Sequence, residues 1–445
     1  MSETNSAEPT RAAGDEQQAV RPRKTVWKRL KRILIVLGLL LALALGYNAF
    51  RSWQASSQLE ARLAKLREQG AALTLDELDS PALPEEDNAQ TWIRRARPHT
   101  EQLSKLLREY YATEEYQSLR PNAEQQKLLR EAFEQHAKAF SHYQRAASCV
   151  GYQSDWRIGP QPSESLAVNM ENVSETREVL RHCRARASWL LAENKTDETL
   201  TLGLQMLALS RHVEYEPMVM GYLVSLACRA MSLNVIGAVL ERSPLTDARR
   251  QEIDSALAEC ESADGFQHAL DSERIYGLAS FRQIVGGTLQ SMVMWTFKSD
   301  ACDYLDLMED MKQAAPRPRH EIAERLDGIA AKDVGPRQGV GMLTALAAPA
   351  ILQARNAHDR HLARMRCVRL LNALQGRWPG GIPTEPDLDA FPGSEGWRVD
   401  PFTGESLIVR VSEEAVVVYS VGVNGTDDGG DFEEQKDQGV RIELE

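Results

Sequence analysis

The chain lacks the short signatures that would assign it an activity. No His-Glu-x-x-His, Gly-x-Ser-x-Gly, Walker A or dinucleotide-binding fingerprint occurs in its 445 residues, so a zinc protease, serine esterase or nucleotide-binding enzyme has no motif to rest on. No two of its six cysteines (Cys149, Cys183, Cys228, Cys260, Cys302, Cys367) form a Cys-x-x-Cys pair, which excludes a zinc ribbon. Up to three disulfides in an oxidising compartment and buried free thiols in helices both remain open. Basic charge is scarce too. There are 52 Lys and Arg against 64 Asp and Glu, and beyond residue 50 the balance is 44 against 60. Such a surface argues against nucleic-acid or anionic-lipid binding by that part of the chain.

Long apolar runs are likewise missing, with one exception. Residues 33–50 (ILIVLGLLLALALGYNAF) carry no charge over 18 positions, about 27 Å of helix and close to a bilayer core. Seven positive residues precede them, Arg21, Arg23, Lys24, Lys28, Arg29, Lys31 and Arg32. The positive-inside rule then puts the N-terminus in the cytoplasm and the bulk of the chain beyond the inner membrane. Ala42-Leu43-Ala44 offers a signal-peptidase alternative, but the leading segment is long and Ser57 to Gln69 continues as helix. An uncleaved anchor, with the lipid bilayer as partner through residues 33–50, is the expectation.

From Glu86 to Gln375 apolar residues recur at helical spacing, with breaks at Pro98, Gly151 to Ser165, Asn194 to Asp197 and Ser243 to Thr246. No strict repeat holds, so the fold class reads as mainly α, an irregular α-hairpin array. Past Trp378 the period changes to strands at Leu407 to Val411, Val416 to Val423 and Val440 to Leu444. A long helix with a three-stranded antiparallel sheet closes the chain as a small α+β module. The domains expected are a disordered basic tail (1–32), a transmembrane signal anchor (33–50), a helical extension and linker (51–85), an extracytoplasmic helical domain (86–340) and the terminal module (341–445).

The last 90 or so residues run from an amphipathic helix to Arg377-Trp378-Pro379, then Asp400-Pro401-Phe402-Thr403-Gly404. A hairpin ending Tyr419-Ser420-Val421-Gly422 follows, then Asn424-Gly425 and the Gly429-Gly430 loop. This order resembles the C-terminal half of the major pseudopilin of type II secretion systems. It also resembles uncharacterised single-pass bacterial envelope proteins that join such a module to a helical region; Glu86-Asp87-Asn88-Ala89 and the segment from Ala269 to Leu278 add to that likeness. The pseudopilin likeness implies a helix-plus-sheet fold and a calcium loop. It does not carry over filament assembly, because the apolar run begins after 32 residues and contains no Glu.

The calcium loop would be Asn424, Asp427, Asp428 and Asp431, three carboxylates and an amide on a Gly-rich segment. Hard cations take six to eight such oxygens, and the resemblance places Asn424 at the family's ligand position. His358 and His361 stand three apart on a helix, within reach of one metal, but their Arg-rich surroundings read as a surface face. No spacing singles out a catalytic pair. The function expected is therefore a membrane-anchored interaction or scaffold protein of the bacterial envelope, beside secretion or pilus-like machinery. The competing reading is an envelope hydrolase whose site no motif reveals. A pocket with converging carboxylates or histidines would favour it.

Overall fold

A computed structural model describes residues 24–74, 82–154, 162–242, 244–285, 294–330, 341–388, 396–433 and 436–444, with Glu77 and Phe391 besides. The tail before Lys24, residues 155–161 of the expected Gly151 to Ser165 break and residues 331–340 lie outside these. The chain divides into two compact units, Met1–Gln54 and Ala55–Glu445.

The first unit is built on helix α1 (Lys24–Glu68), which runs on into the second. From Leu30 to Trp53 its large apolar side chains are about half exposed or more. By length and apolarity this helix can cross a membrane. Helix α8 (Met218–Arg242) has a similar composition for a different reason: more than half of it is buried in the second unit. A helix surrounded on all sides is apolar on all sides.

The second unit is mainly helical. It holds α2 (Ala89–Leu106), α3 (Glu114–Ser118), α4 (Ala123–Gln135), α5 (Ala137–Ala147), α6 (Pro162–Ala192), α7 (Thr196–Val213), α8, α9 (Asp247–Glu259), α10 (Asp264–Val285), α11 (Met294–Ala314), α12 (Arg319–Ala330) and α13 (Met342–Arg377). Helix α7 lies along α8, α2 along α5, and α6 against both α7 and α8. Strands β1 (Ile408–Val411), β2 (Ala415–Ser420) and β3 (Gln438–Glu443) form the expected antiparallel sheet in the order β1-β2-β3. The sheet packs on α13 and α8, and Val416, Val418 and Ile442 join the same core as residues from Ala89 onward. Among the described residues, side chains from before and after 331–340 thus share one core.

Three local expectations are corrected. Pro98 does not split its helix: α2 runs through it, with Ile93, Ala96, Thr100 and Leu103 buried on either side. Their shared packing outweighs a proline cost of about 3 kcal/mol. No break is expected between Pro98 and Gly151, yet the helical stretch there breaks at His136, whose backbone (φ −112°) closes α4 and opens α5. Its ring is held there by His99, Nδ1 to Nδ1 at 3.2 Å. His358 and His361 are buried, not on a surface face. The His358 ring stacks on Phe266 and its Nδ1 meets the Tyr222 hydroxyl at 2.5 Å.

Several buried charges are paired. Arg355 donates to both Asp359 oxygens at 2.9 and 3.0 Å, one turn along α13. Its remaining nitrogens donate to the carbonyls of Ala314, Ala315 and Arg317 at the end of α11. One guanidinium thus satisfies a helix C-terminus that would otherwise present open carbonyls to the core. All six cysteines are free thiols, and every one except Cys149 is buried.

Candidate functional site

The C-terminal loop grows out of the sheet. Asp400 opens the Asp-Pro-Phe-Thr-Gly turn, and its buried carboxylate accepts from Phe402 N (2.8 Å), the Ser420 hydroxyl (2.9 Å) and Val421 N (3.1 Å). Gly422 then turns the chain at φ +65°, where a Cβ would run into the Lys436 carbonyl. Only glycine fits both demands.

The four predicted ligands all sit on the loop that follows. Asn424 Nδ2 donates to Asp428 Oδ2 at 2.8 Å. Asp427 accepts from Gly429 N and the Tyr419 hydroxyl, each at 2.9 Å, and from Arg410 at 2.7 Å. The Gly429 N–H, then Tyr419 and Arg410, hold it below the usual carboxylate range. Asp431 takes the Lys436 ammonium at 2.5 Å and is lowered by it. Asn424 and Asp428 are therefore brought together, while Asp427 and Asp431 face Arg410 and Lys436. Among the described residues no group of three or more His, Cys, Asp or Glu side chains converges on a metal position. The donor chemistry is that of a hard cation, but a cation would have to displace two positive side chains.

Sequence reasoning missed the residue that shapes this loop. Asp437 is fully buried and accepts from Gly430 N (2.7 Å) and Asp428 N (3.3 Å). Burial pushes it up, against those two N–H groups.

A second feature lies between α2 and α6, a groove of about 560 Å³ lined by Ile93, Arg97, Ser104, Arg108, Tyr111 and Glu178, among others. At its floor a chain of hydrogen bonds joins Thr100 Oγ1 to Tyr143 OH (2.8 Å), Tyr143 OH to His182 Nδ1 (3.1 Å), His182 Nε2 to Ser104 Oγ (3.1 Å) and Ser104 Oγ to Glu178 Oε2 (2.7 Å).

The direction of this relay follows from its end. Burial pushes Glu178 up, but the Ser104 hydroxyl and the Arg181 guanidinium outweigh it and leave the carboxyl low, hence ionised and acceptor-only. Ser104 must give its single proton to Glu178. His182, which burial drives down to about 4, is then neutral and donates from Nε2 to Ser104. Tyr143 donates to Nδ1. In this register the imidazole cannot take the Ser104 proton, so the serine is not activated by His182 in the manner of a hydrolase nucleophile.

What the groove offers is recognition. Lys105 and Arg108 stand on its rim exposed, and Tyr111 lines it with a buried hydroxyl that has no hydrogen-bond partner among the described residues. Arg181 lies over the Tyr111 ring at 4.3 Å and fixes it. The two exposed cations stand in a lining that also carries Glu101, Glu171, Glu175 and Glu178, so the groove offers both signs of charge to a polar partner. No motif announced this site, since its parts come from three helices and become neighbours only through packing.

No family model, curated protein or solved structure matches the chain.

Proposed function

We propose that this chain is a membrane-anchored, extracytoplasmic interaction protein of the bacterial cell envelope, working beside type II secretion or pilus-like machinery. The observation that carries the reading is the α2–α6 groove, whose rim cations Lys105 and Arg108 face outward while Ser104 stays locked to Glu178. The groove takes a polar segment of an envelope partner that meets the Lys105 and Arg108 side chains. The exposed apolar helix supports anchoring in the inner membrane, N-terminus in the cytoplasm, through residues 33–50. The likeness of residues 341–445 to the pseudopilin module supports the setting. Calcium would tighten the terminal loop by displacing Arg410 and Lys436 from Asp427 and Asp431.

Two experiments test it. A C-terminal alkaline phosphatase fusion is expected to be active and a C-terminal green-fluorescent fusion dark; the reverse pattern rejects the topology. A photo-crosslinking residue in place of Ser174, on the groove rim, is expected to trap a partner that the same residue in place of Gln251, on exposed α9, does not. Loss of the adduct on Arg108→Glu ties it to the groove. Equal trapping from both positions removes the groove from the account.

A further inference from the structure

A second cavity, of about 440 Å³, opens among α4, α5, α6 and α7 and shares no lining residue with the α2–α6 groove. Its size falls in the usual range for small-ligand sites, about 300–1,000 Å³. Phe133, Phe140, Leu190 and Leu202 give it an apolar wall, all of them buried. Arg186 of α6 lies on that wall, its guanidinium carbon 4.3 Å from the centre of the Phe140 ring. The stacking holds the side chain in place. It gives the N–H groups no acceptor.

Arg186 is half-buried, and among the described residues it makes neither an ion pair nor a hydrogen bond. That sets it apart from the enclosed arginines Arg229, Arg274 and Arg355, each of which has a carboxylate partner. Burial pushes its pKa down, with Cys183 and Glu198 opposing. The fold thus keeps a partly desolvated cation in a cavity with five donors unused. Ser141, Gln144 and Gln205 line the same cavity, and their side chains also lack a hydrogen-bond partner among the described residues. A carboxylate entering here would meet a planar fork for its two oxygens and neutral donors beside it.

The α7 side of the cavity carries the opposite sign. Asp197 is already engaged: Arg249 Nε lies 2.9 Å from it, and the same arginine donates to Thr201 Oγ1 at 2.8 Å. Glu198 is held only loosely, since the Lys195 ammonium stays 3.8 Å away. A plain carboxylate would find Arg186 but also two acidic side chains, and a plain amine would find the unpaired cation. A ligand with both charges satisfies each and brings no net charge into the cavity.

We propose that this cavity binds a small zwitterion of the α-amino-acid class with an apolar side chain. Its carboxylate lies on Arg186, its ammonium on Glu198 and its side chain against Phe140 and Leu202.

Equilibrium dialysis of labelled L-leucine against the full-length protein in non-ionic detergent tests the site. The competitors are isocaproate, which is leucine without its amino group, and isoamylamine, which is leucine without its carboxylate. Leucine is expected to be retained, and each competitor to displace it only at about tenfold or more the concentration of unlabelled leucine. Arg186→Gln breaks no hydrogen bond, so it is expected to fold and to retain no leucine. Arg186→Lys keeps the charge without the fork and is expected to bind about tenfold more weakly. In Glu198→Gln, isocaproate is expected to compete as well as leucine does. No retention of leucine, or isocaproate matching leucine on the wild type, overturns the proposal. Wild-type retention by Arg186→Gln overturns the assignment to this cavity. Should Arg186→Gln not fold, Glu198→Gln decides, because that side chain is exposed: an unchanged preference for leucine over isocaproate overturns the proposal.

Discussion

The Asp400 carboxylate accepts the Ser420 hydroxyl at 2.9 Å, and with its bonds to Phe402 N and Val421 N it fastens the turn before the sheet to the end of the central strand. Both groups are buried. Replacing Asp400 by Ala strands two N–H groups and a hydroxyl, so a loss of about 3 kcal/mol is expected. Ser420→Ala removes two bonds, the one donated to Asp400 and the one accepted from Gly422 N at 3.1 Å, and should cost about 2 kcal/mol. Guanidinium unfolding of the two variants checks the ratio; equal losses would mean the hydroxyl alone holds the turn.

The relay at the groove floor fixes a tautomer. His182 is expected to carry its proton on Nε2 at pH 7, which long-range nitrogen–proton NMR reads directly. Tyr143→Phe removes the donor to Nδ1 and is expected to lower stability by about 1–3 kcal/mol. A proton on Nδ1 instead would reverse the relay and restore Ser104 as a candidate nucleophile.

Acid and base limits of stability come from different groups. Burial holds His182 near 4 and His358 near 3, both below the unfolded value of 6.5. The unfolded chain therefore binds more protons, and stability is lost as pH falls from 6.5 towards those values. Glu216 works in the opposite sense: its folded value is raised from 4.5 to about 7, so its contribution is lost as pH climbs through that window. Glu216→Gln is expected to gain roughly 3 kcal/mol over wild type at pH 8 and nothing at pH 4. Denaturant midpoints at the two pH values provide the check.

Gly277 of α10 leaves room for the Tyr304 ring, whose hydroxyl donates to the Glu273 carbonyl at 2.8 Å. A Cβ there would overlap the Tyr304 ring and hydroxyl. Gly277→Ala is expected to destabilise by about 1–3 kcal/mol, despite alanine's better helix propensity. Adding Tyr304→Phe should not rescue it, because the ring carbons clash as well; calorimetry of the single and double variants decides.

Helices and sheet were legible because period alone separates 3.6 from 2. Breaks were not, where tertiary contacts outvoted local rules: packing carried α2 through Pro98, and the His99 ring helped stop the chain at His136. The four loop residues could be found because they are contiguous, and Asp400 was marked by its place in the motif order. Asp437 escaped since nothing in its own stretch distinguishes a loop-shaping carboxylate from a solvated one. Arg186 escaped for a stronger reason. Phe140, Gln144 and Gln205 come from other helices, so no spacing rule could connect them. His358 and His361 misled because the arginines around them suggested a wet surface, while the chain buries arginines as well: Arg229, Arg274 and Arg355 are among its largest fully enclosed side chains.

The cysteines carry one more implication. Burial pushes the Cys183 and Cys228 thiols up to about 12, and Cys260 to about 11, so a folded molecule presents almost no thiolate to an oxidant. A chain that opens in an oxidising compartment exposes all six at once and can be cross-linked into shapes from which it does not return. Native packing therefore serves as chemical armour for the buried thiols, and each transient opening in oxidising surroundings would risk permanent damage.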